Sequence, residues 1–155
     1  MTGTRWLDAR EERAWRAMQF LQMRLESELA RQLAAESGLS YADYVVLVAL
    51  TDQPEGRLRQ FELGRVLGWE KSRLSHHVGR MVERGLVAKE RCGSDRRGAY
   101  VAVTGHGRAE IAAAAPGHVA TVRRLFLDHV TPTQLDVVAD VAEKVLAAID
   151  ATARR

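Results

Sequence analysis

The chain has a single cysteine, Cys92, so it cannot close an internal disulfide, a usage that suits a reducing cytoplasm. No apolar run approaches the roughly 18–20 residues that a membrane-spanning helix needs, and no membrane partner is expected. Residues 1–16 are charged and lack an apolar core, so no secretory signal is expected there either. Net charge is small, +3 from 23 basic and 20 acidic side chains, while 46% of the residues are apolar. That balance excludes a chain too polar to fold. Catalytic signatures are missing: there is no phosphate-binding glycine loop, no dinucleotide fingerprint, no Ser/His/Asp or Cys/His constellation, and no carboxylate pair at a plausible cleft. Metal-ligand types are dispersed, since His76 and His77 diverge around a helix and His106, His118 and His129 are scattered. These absences predict a cytoplasmic protein of one domain, residues 1–155, that is not an enzyme and carries neither metal nor cofactor.

What is present is an uneven distribution of charge. Residues 57–97 hold eleven basic and five acidic side chains, net +6, whereas the rest of the chain nets −3. A basic block of 41 residues on a weakly acidic frame suits a polyanion-binding module.

The periodicity is mostly helical. No proline or glycine interrupts Asp8 to Ser37, and Trp15, Met18, Leu21, Leu25, Leu29 and Leu33 form one apolar stripe, ended by Gly38. Ser40 caps a second helix to about Thr51, and residues 52–56 break the chain. A third helix spans about 60–67, Gly68 punctuates, and a fourth runs from 70 to 84, closed by Gly85. Residues 86–91 and 99–103 are β-prone and flank a polar tip bounded by Gly93 and Gly98, the pattern of a hairpin. Helical spacing then resumes from about Gly105 through Phe126, with Pro116-Gly117 predicted to kink or interrupt it. Thr131-Pro132-Thr133-Gln134 starts the last helix with a capping box. The fold class is therefore mainly α with a small β-hairpin. Residues 5–37 and 105–153 carry long apolar stripes that a small monomer cannot cover, so they are assigned to homodimerisation, and residues 40–103 to a separate lobe.

Within that lobe, residues 60–84 have the pattern of a helix-turn-helix. Gly64 allows a close helix crossing, Gly68 makes the turn, and Leu63, Leu67 and Leu74 anchor either side. On the fourth helix Leu74, Val78, Met81 and Val82 cluster on one side, predicted to face the core. The other side collects Ser72, Arg73, His76, Gly79, Arg80 and Glu83, with Lys71 at the helix start and His77 at the edge. Arginine pairs with guanine O6 and N7, serine and histidine read several edges or phosphates, and glycine lets the backbone approach. Arg96 and Arg97 on the Gly-flanked tip suit an adjacent minor groove, with Asp95 orienting an arginine. Together these features describe a winged helix-turn-helix that binds double-stranded DNA.

At this level the sequence resembles the MarR family of transcriptional regulators. The resemblance is carried by Leu63-Gly64-Arg65-Val66-Leu67-Gly68, Lys71-Ser72-Arg73-Leu74-Ser75, Met81-Val82-Glu83-Arg84-Gly85-Leu86-Val87, Ser94-Asp95-Arg96-Arg97 and Val103-Thr104-Gly105-His106-Gly107. It implies a homodimer joined by its terminal helices that binds a pseudo-palindromic operator with half-sites about one helical turn apart. It further implies a repressor released by a small, often aromatic acid. Carried over by position, Ser72, Arg73, His76 and Arg80 read bases, Lys71 and His77 support them, and Asp95, Arg96 and Arg97 form the wing. Gly64 stands where the family usually has alanine, and Glu70 where a serine or threonine cap is common. Cys92 at the wing base reads as a passive small residue. Trp15, Met18 and Tyr44 lie near the junction expected to hold an effector but equally suit ordinary packing, so no ligand residue is assigned. Two other readings stay open, a winged-helix protein-interaction module and a sequence-neutral architectural DNA binder.

Overall fold

The computed structural model describes residues 3–91 and 98–153. Helix α1 (Ala9–Glu36) starts at Asp8, whose carboxylate accepts the amides of Arg10 and Glu11 while Glu11 reaches back to the Asp8 amide. It ends at Ser37, whose amide and hydroxyl both donate to the Leu33 carbonyl; Gly38 lies beyond and does not adopt a positive φ. A reciprocal Ser40–Asp43 capping box starts α2 (Tyr41–Thr51). There follow β1 (Arg57–Arg59), α3 (Gln60–Leu67), α4 (Lys71–Glu83), β2 (Val87–Arg91), β3 (Ala99–Val103), α5 (Gly105–Leu125), a 3-10 turn at Leu127–His129 and α6 (Pro132–Ala153). The chain forms two compact units, Met1–His118 and Val119–Arg155.

The first unit contains the core. Leu33 of α1, Val46, Leu47 and Leu50 of α2, Leu63 of α3, Leu74, Val78 and Met81 of α4, and Leu86, Val87 and Val101 are all buried together. The sheet is antiparallel in the order β1-β3-β2, with Leu58 opposite Val101 and Val87 opposite Val103. The expected hairpin is therefore joined by a third strand. Arg57-Leu58-Arg59 is too short to display alternation, and its strand character comes from pairing with β3. Thr104 ties the sheet to the end of α4 by donating its hydroxyl to the carbonyl of Gly85.

Three other expectations are corrected. Helix α5 runs unbroken through Pro116. Proline removes one amide donor, while the turns on either side keep their bonds and the neighbouring alanines reduce crowding. A β-carbon on Gly117 would meet only the ends of the Glu36 and Gln32 side chains of α1, which can shift aside. Helix α5 stops at Leu125, and Phe126 leads into the 3-10 turn. Val82 is exposed (38%) rather than in the core, because the buried arc of α4 is centred toward His77.

In the second unit α6 begins with the Thr131–Gln134 capping box: the Thr131 amide donates to Gln134 Oε1 at 2.9 Å and the Gln134 amide to Thr131 Oγ1 at 3.3 Å. None of the described α6 residues is buried, and Val137, Val138, Val141, Val145, Leu146 and Ile149 are all exposed. On α1, likewise, only Leu29 and Leu33 of the apolar stripe are buried; Trp15, Met18 and Leu21 are exposed.

Candidate nucleic-acid interface

Helices α3 and α4 meet through Gly68, which takes the left-handed conformation (φ 64°) that a side chain would strain. Its neighbour Trp69 donates its amide to the carbonyl of Gly64 at 2.9 Å. A β-carbon on Gly64 would lie 3.3 Å from Leu74 Cδ2 and from the Trp69 carbonyl, so glycine there sets how closely the helices cross. Glu70 precedes α4 without a side-chain cap, as its identity suggested.

The buried face of α4 is Leu74, His77, Val78 and Met81. Opposite it, Lys71, Ser72, Arg73, His76, Arg80 and Glu83 are exposed, and Gly79 is half-buried. The structure thus gathers six of the residues singled out in sequence onto one solvent-facing surface. His77 is the exception. It is 7% exposed and turned into the lobe, so it does not belong to that face. The spacing of 74, 77, 78 and 81 is itself the three-and-four repeat of a buried helix face, a signal that places His77 inside.

Behind this face lies a polar network that the sequence did not reveal. Asp43 of α2 is 1% exposed, and its Oδ2 accepts from Arg84 Nη1 at 2.7 Å and from the Ser40 amide at 2.9 Å. Arg84 also donates to the carbonyl of Gly38 at 2.7 Å. Burial alone would push the Asp43 carboxyl up, but the Arg84 and Ser40 hydrogen bonds and the Arg84 charge hold it below the usual carboxylate range. The other oxygen, Oδ1, lies 3.0 Å from His77 Nε2, within pairing distance but off the line of a well-formed hydrogen bond. His77 Nδ1 faces Arg80 Nη2 at 3.0 Å. Arginine only donates, so Nδ1 must be the acceptor and the ring neutral. Burial pulls the imidazole below the ordinary histidine value; Asp43 opposes that pull, and the Arg80 and Arg73 charges reinforce it. The His77 ring also meets Trp69 edge-on, at 5.4 Å and 89°, and Trp69 carries the Arg73 guanidinium 4.3 Å from its ring centroid.

The sheet adds a second basic feature. Arg57 and Arg59 share one face of β1 and flank the ring of Tyr100, at 4.8 Å and 5.2 Å from its centroid. Arg57 also bonds Glu90 and Glu55. Lys89 and Arg91 are exposed on β2. The wing residues Asp95, Arg96 and Arg97, and Cys92, lie outside the described residues. Of the positions near the expected effector junction, Tyr44 is buried against His118, with ring centroids 4.2 Å apart, whereas Trp15 and Met18 are exposed on α1.

The sequence profile of the MarR family matches residues 37–98. AbsC, a MarR family transcriptional regulator from Streptomyces coelicolor, is 36% identical over 96% of this chain and 99% of its own, with a TM-score of 0.86. The chain belongs to the MarR family of transcriptional regulators. A second S. coelicolor member, Sco3205, solved in complex with DNA, is also 36% identical, covering 94% of this chain and 91% of its own with a TM-score of 0.85. CouR from Rhodococcus jostii RHA1, solved with p-coumaroyl-CoA bound, is 25% identical over 84% of this chain and 89% of its own, with a TM-score of 0.74. No curated protein sequence matches the chain. The MarR fold accounts for the element order seen here, with the helix-turn-helix and its small sheet flanked by long helices.

Proposed function

We propose that this MarR-family chain is a sequence-specific DNA-binding repressor, acting as a homodimer on a pseudo-palindromic operator. One observation carries the reading: α4 locks one face into the core and presents Lys71, Ser72, Arg73, His76 and Arg80 together on the other. On DNA, Arg73 and Arg80 pair with guanine edges in the major groove, Ser72 and His76 read edges or phosphates, and Lys71 meets a phosphate. Asp95, Arg96 and Arg97 serve the adjacent minor groove. His77 touches no base. The DNA complex of Sco3205 supports the reading. The exposed apolar residues of α1 and α6 support the homodimer, whose half-sites lie about one helical turn apart. Release by a small aromatic acid-like molecule is part of the proposal, supported by the p-coumaroyl-CoA held by CouR.

Selection of bound sequences from a random duplex library at near-physiological salt tests it. An inverted repeat is the expected product. Arg73→Ala and Arg80→Ala should each cost about 1–3 kcal/mol of operator preference and relax the sequence at the base they read. If both variants bind the selected repeat as the wild type does, the reading face is misplaced. Binding without sequence preference makes the chain an architectural DNA binder. No binding at any salt leaves a winged helix that docks proteins.

A further inference from the structure

One buried ring stands behind two of the exposed arginines on α4. His77 Nδ1 lies 3.0 Å from Arg80 Nη2, and the same imidazole packs T-shaped against Trp69, on which Arg73 stacks. Asp43 backs the ring from α2, and is itself fixed by Arg84 and by the Ser40 amide. An imidazole facing a carboxylate is a costly filling for a site where leucine would pack, so its polar geometry calls for a role.

We infer that Asp43 and His77 are positioning residues for DNA reading, presetting the guanidinium of Arg80 directly and that of Arg73 through Trp69. The inference rests on the DNA-reading role proposed for α4. An arginine held on its rotamer before contact loses less freedom on docking than one searching in solvent, so its preference for the right base is sharper. Arg80 needs the lone pair on Nδ1, which exists only while the ring is neutral with its proton on Nε2 toward Asp43.

This makes base discrimination sensitive to acid. The charges around the ring are Asp43 on α2, Arg73 and Arg80 on α4, and Arg84 just after α4, paired with Asp43; Trp69, in the α3–α4 turn, is neutral. A second proton on Nδ1 removes the acceptor and sets two cations against each other, which expels Arg80. Burial holds the ring neutral at ordinary pH, so the change falls below the usual histidine value of about 6.5. Exposed His76 lies on the reading face itself, so its replacement is the control for any effect not carried by His77.

The test is the ratio of affinity for the selected operator to affinity for a random duplex of equal length. It is measured with the full chain from about pH 7.5 to about pH 5 at constant salt. The wild-type ratio should fall in acid by between about fivefold and a hundredfold, the range of one arginine–guanine contact. His77→Asn, whose amide oxygen replaces Nδ1 as an acceptor that does not titrate, should keep a flat ratio near the neutral wild-type value. His77→Phe keeps the aromatic edge without the acceptor and should show the reduced ratio at every pH, with circular dichroism confirming its fold. A His76→Gln chain should retain the acid dependence. A flat wild-type ratio, or His77→Phe matching the wild type at neutral pH, overturns the inference while leaving DNA reading intact. Should His77→Phe not fold, the pH series on the wild type and His77→Asn decides. A wild type that prefers no duplex removes the DNA reading and this inference together.

Discussion

Removing the Asp43 carboxylate takes partners from Arg84, from the Ser40 amide and from His77 at once. Arg84 is partly exposed and swings into water, whereas His77 is buried and confined. Asp43→Ala should therefore cost about 3 kcal/mol, the low end for breaking a buried pair, measured by urea unfolding at neutral pH. The dependence on pH has a definite sign. Arg84 and Ser40 hold the folded-state carboxyl below its ordinary value despite burial. Its stabilisation is thus complete above the unfolded value of about 3.9 and is lost as pH falls through the lower folded value. Asp43→Asn should lack that component, so its unfolding free energy should fall less steeply than the wild type's across that acid window. Equal slopes would mean that Asp43 contributes nothing through its charge.

Gly79 shows how one element serves two demands. It lies within α4, and a β-carbon there would meet nothing within 4 Å, so Gly79→Ala should raise stability by up to about 1 kcal/mol from helix propensity alone. The same methyl stands on the half-exposed edge of the reading face, where the backbone has to approach DNA. A higher melting temperature with weaker operator binding is the expected pair of results, and unchanged binding would remove Gly79 from the interface. The helices and caps around it were legible because they are local: Ser40 with Asp43, Gly68 at its turn, and Thr131 with Gln134 act within a few residues. What depends on distant partners was not. Strand β1 exists by pairing with β3, and Pro116 fits inside α5 because the flanking turns hold. The exposed reading face followed from helical spacing, but Asp43, Trp69 and Arg84 joined the site only through the fold. The arc containing Leu74, His77, Val78 and Met81 was visible in the sequence, and reading His77 by chemical type rather than by position left it at the edge of the reading face when it belongs inside.

At the scale of the whole molecule, apolar surface and charge distribution point to the same assembly. Val145 and Ile149, one turn apart on α6, are each more than half exposed, as are Val137 and Leu146, and the α1 stripe adds Trp15 and Met18. Apolar side chains exposed along each of these helices mark association surfaces, and a second copy is the proposed occupant. If so, the melting temperature should rise with protein concentration, because association stabilises only the folded chain. Replacing Val145 and Ile149 together by aspartate should yield a monomer in sedimentation, with a melting temperature independent of concentration. The effect on DNA then separates the role of the dimer from that of the lobe. The basic block nets +6 over residues 57–97 in each chain, so a dimer brings two such blocks to one duplex. Each phosphate neutralised contributes about −0.9 to the slope of log affinity against log salt, so the monomeric variant should show about half the wild-type slope. It should also lose the requirement for an inverted repeat while keeping the preference for a single half-site set by Arg73 and Arg80. A variant that remains dimeric would move the interface away from α6. A monomer with the full salt slope would mean that one lobe already makes all the phosphate contacts.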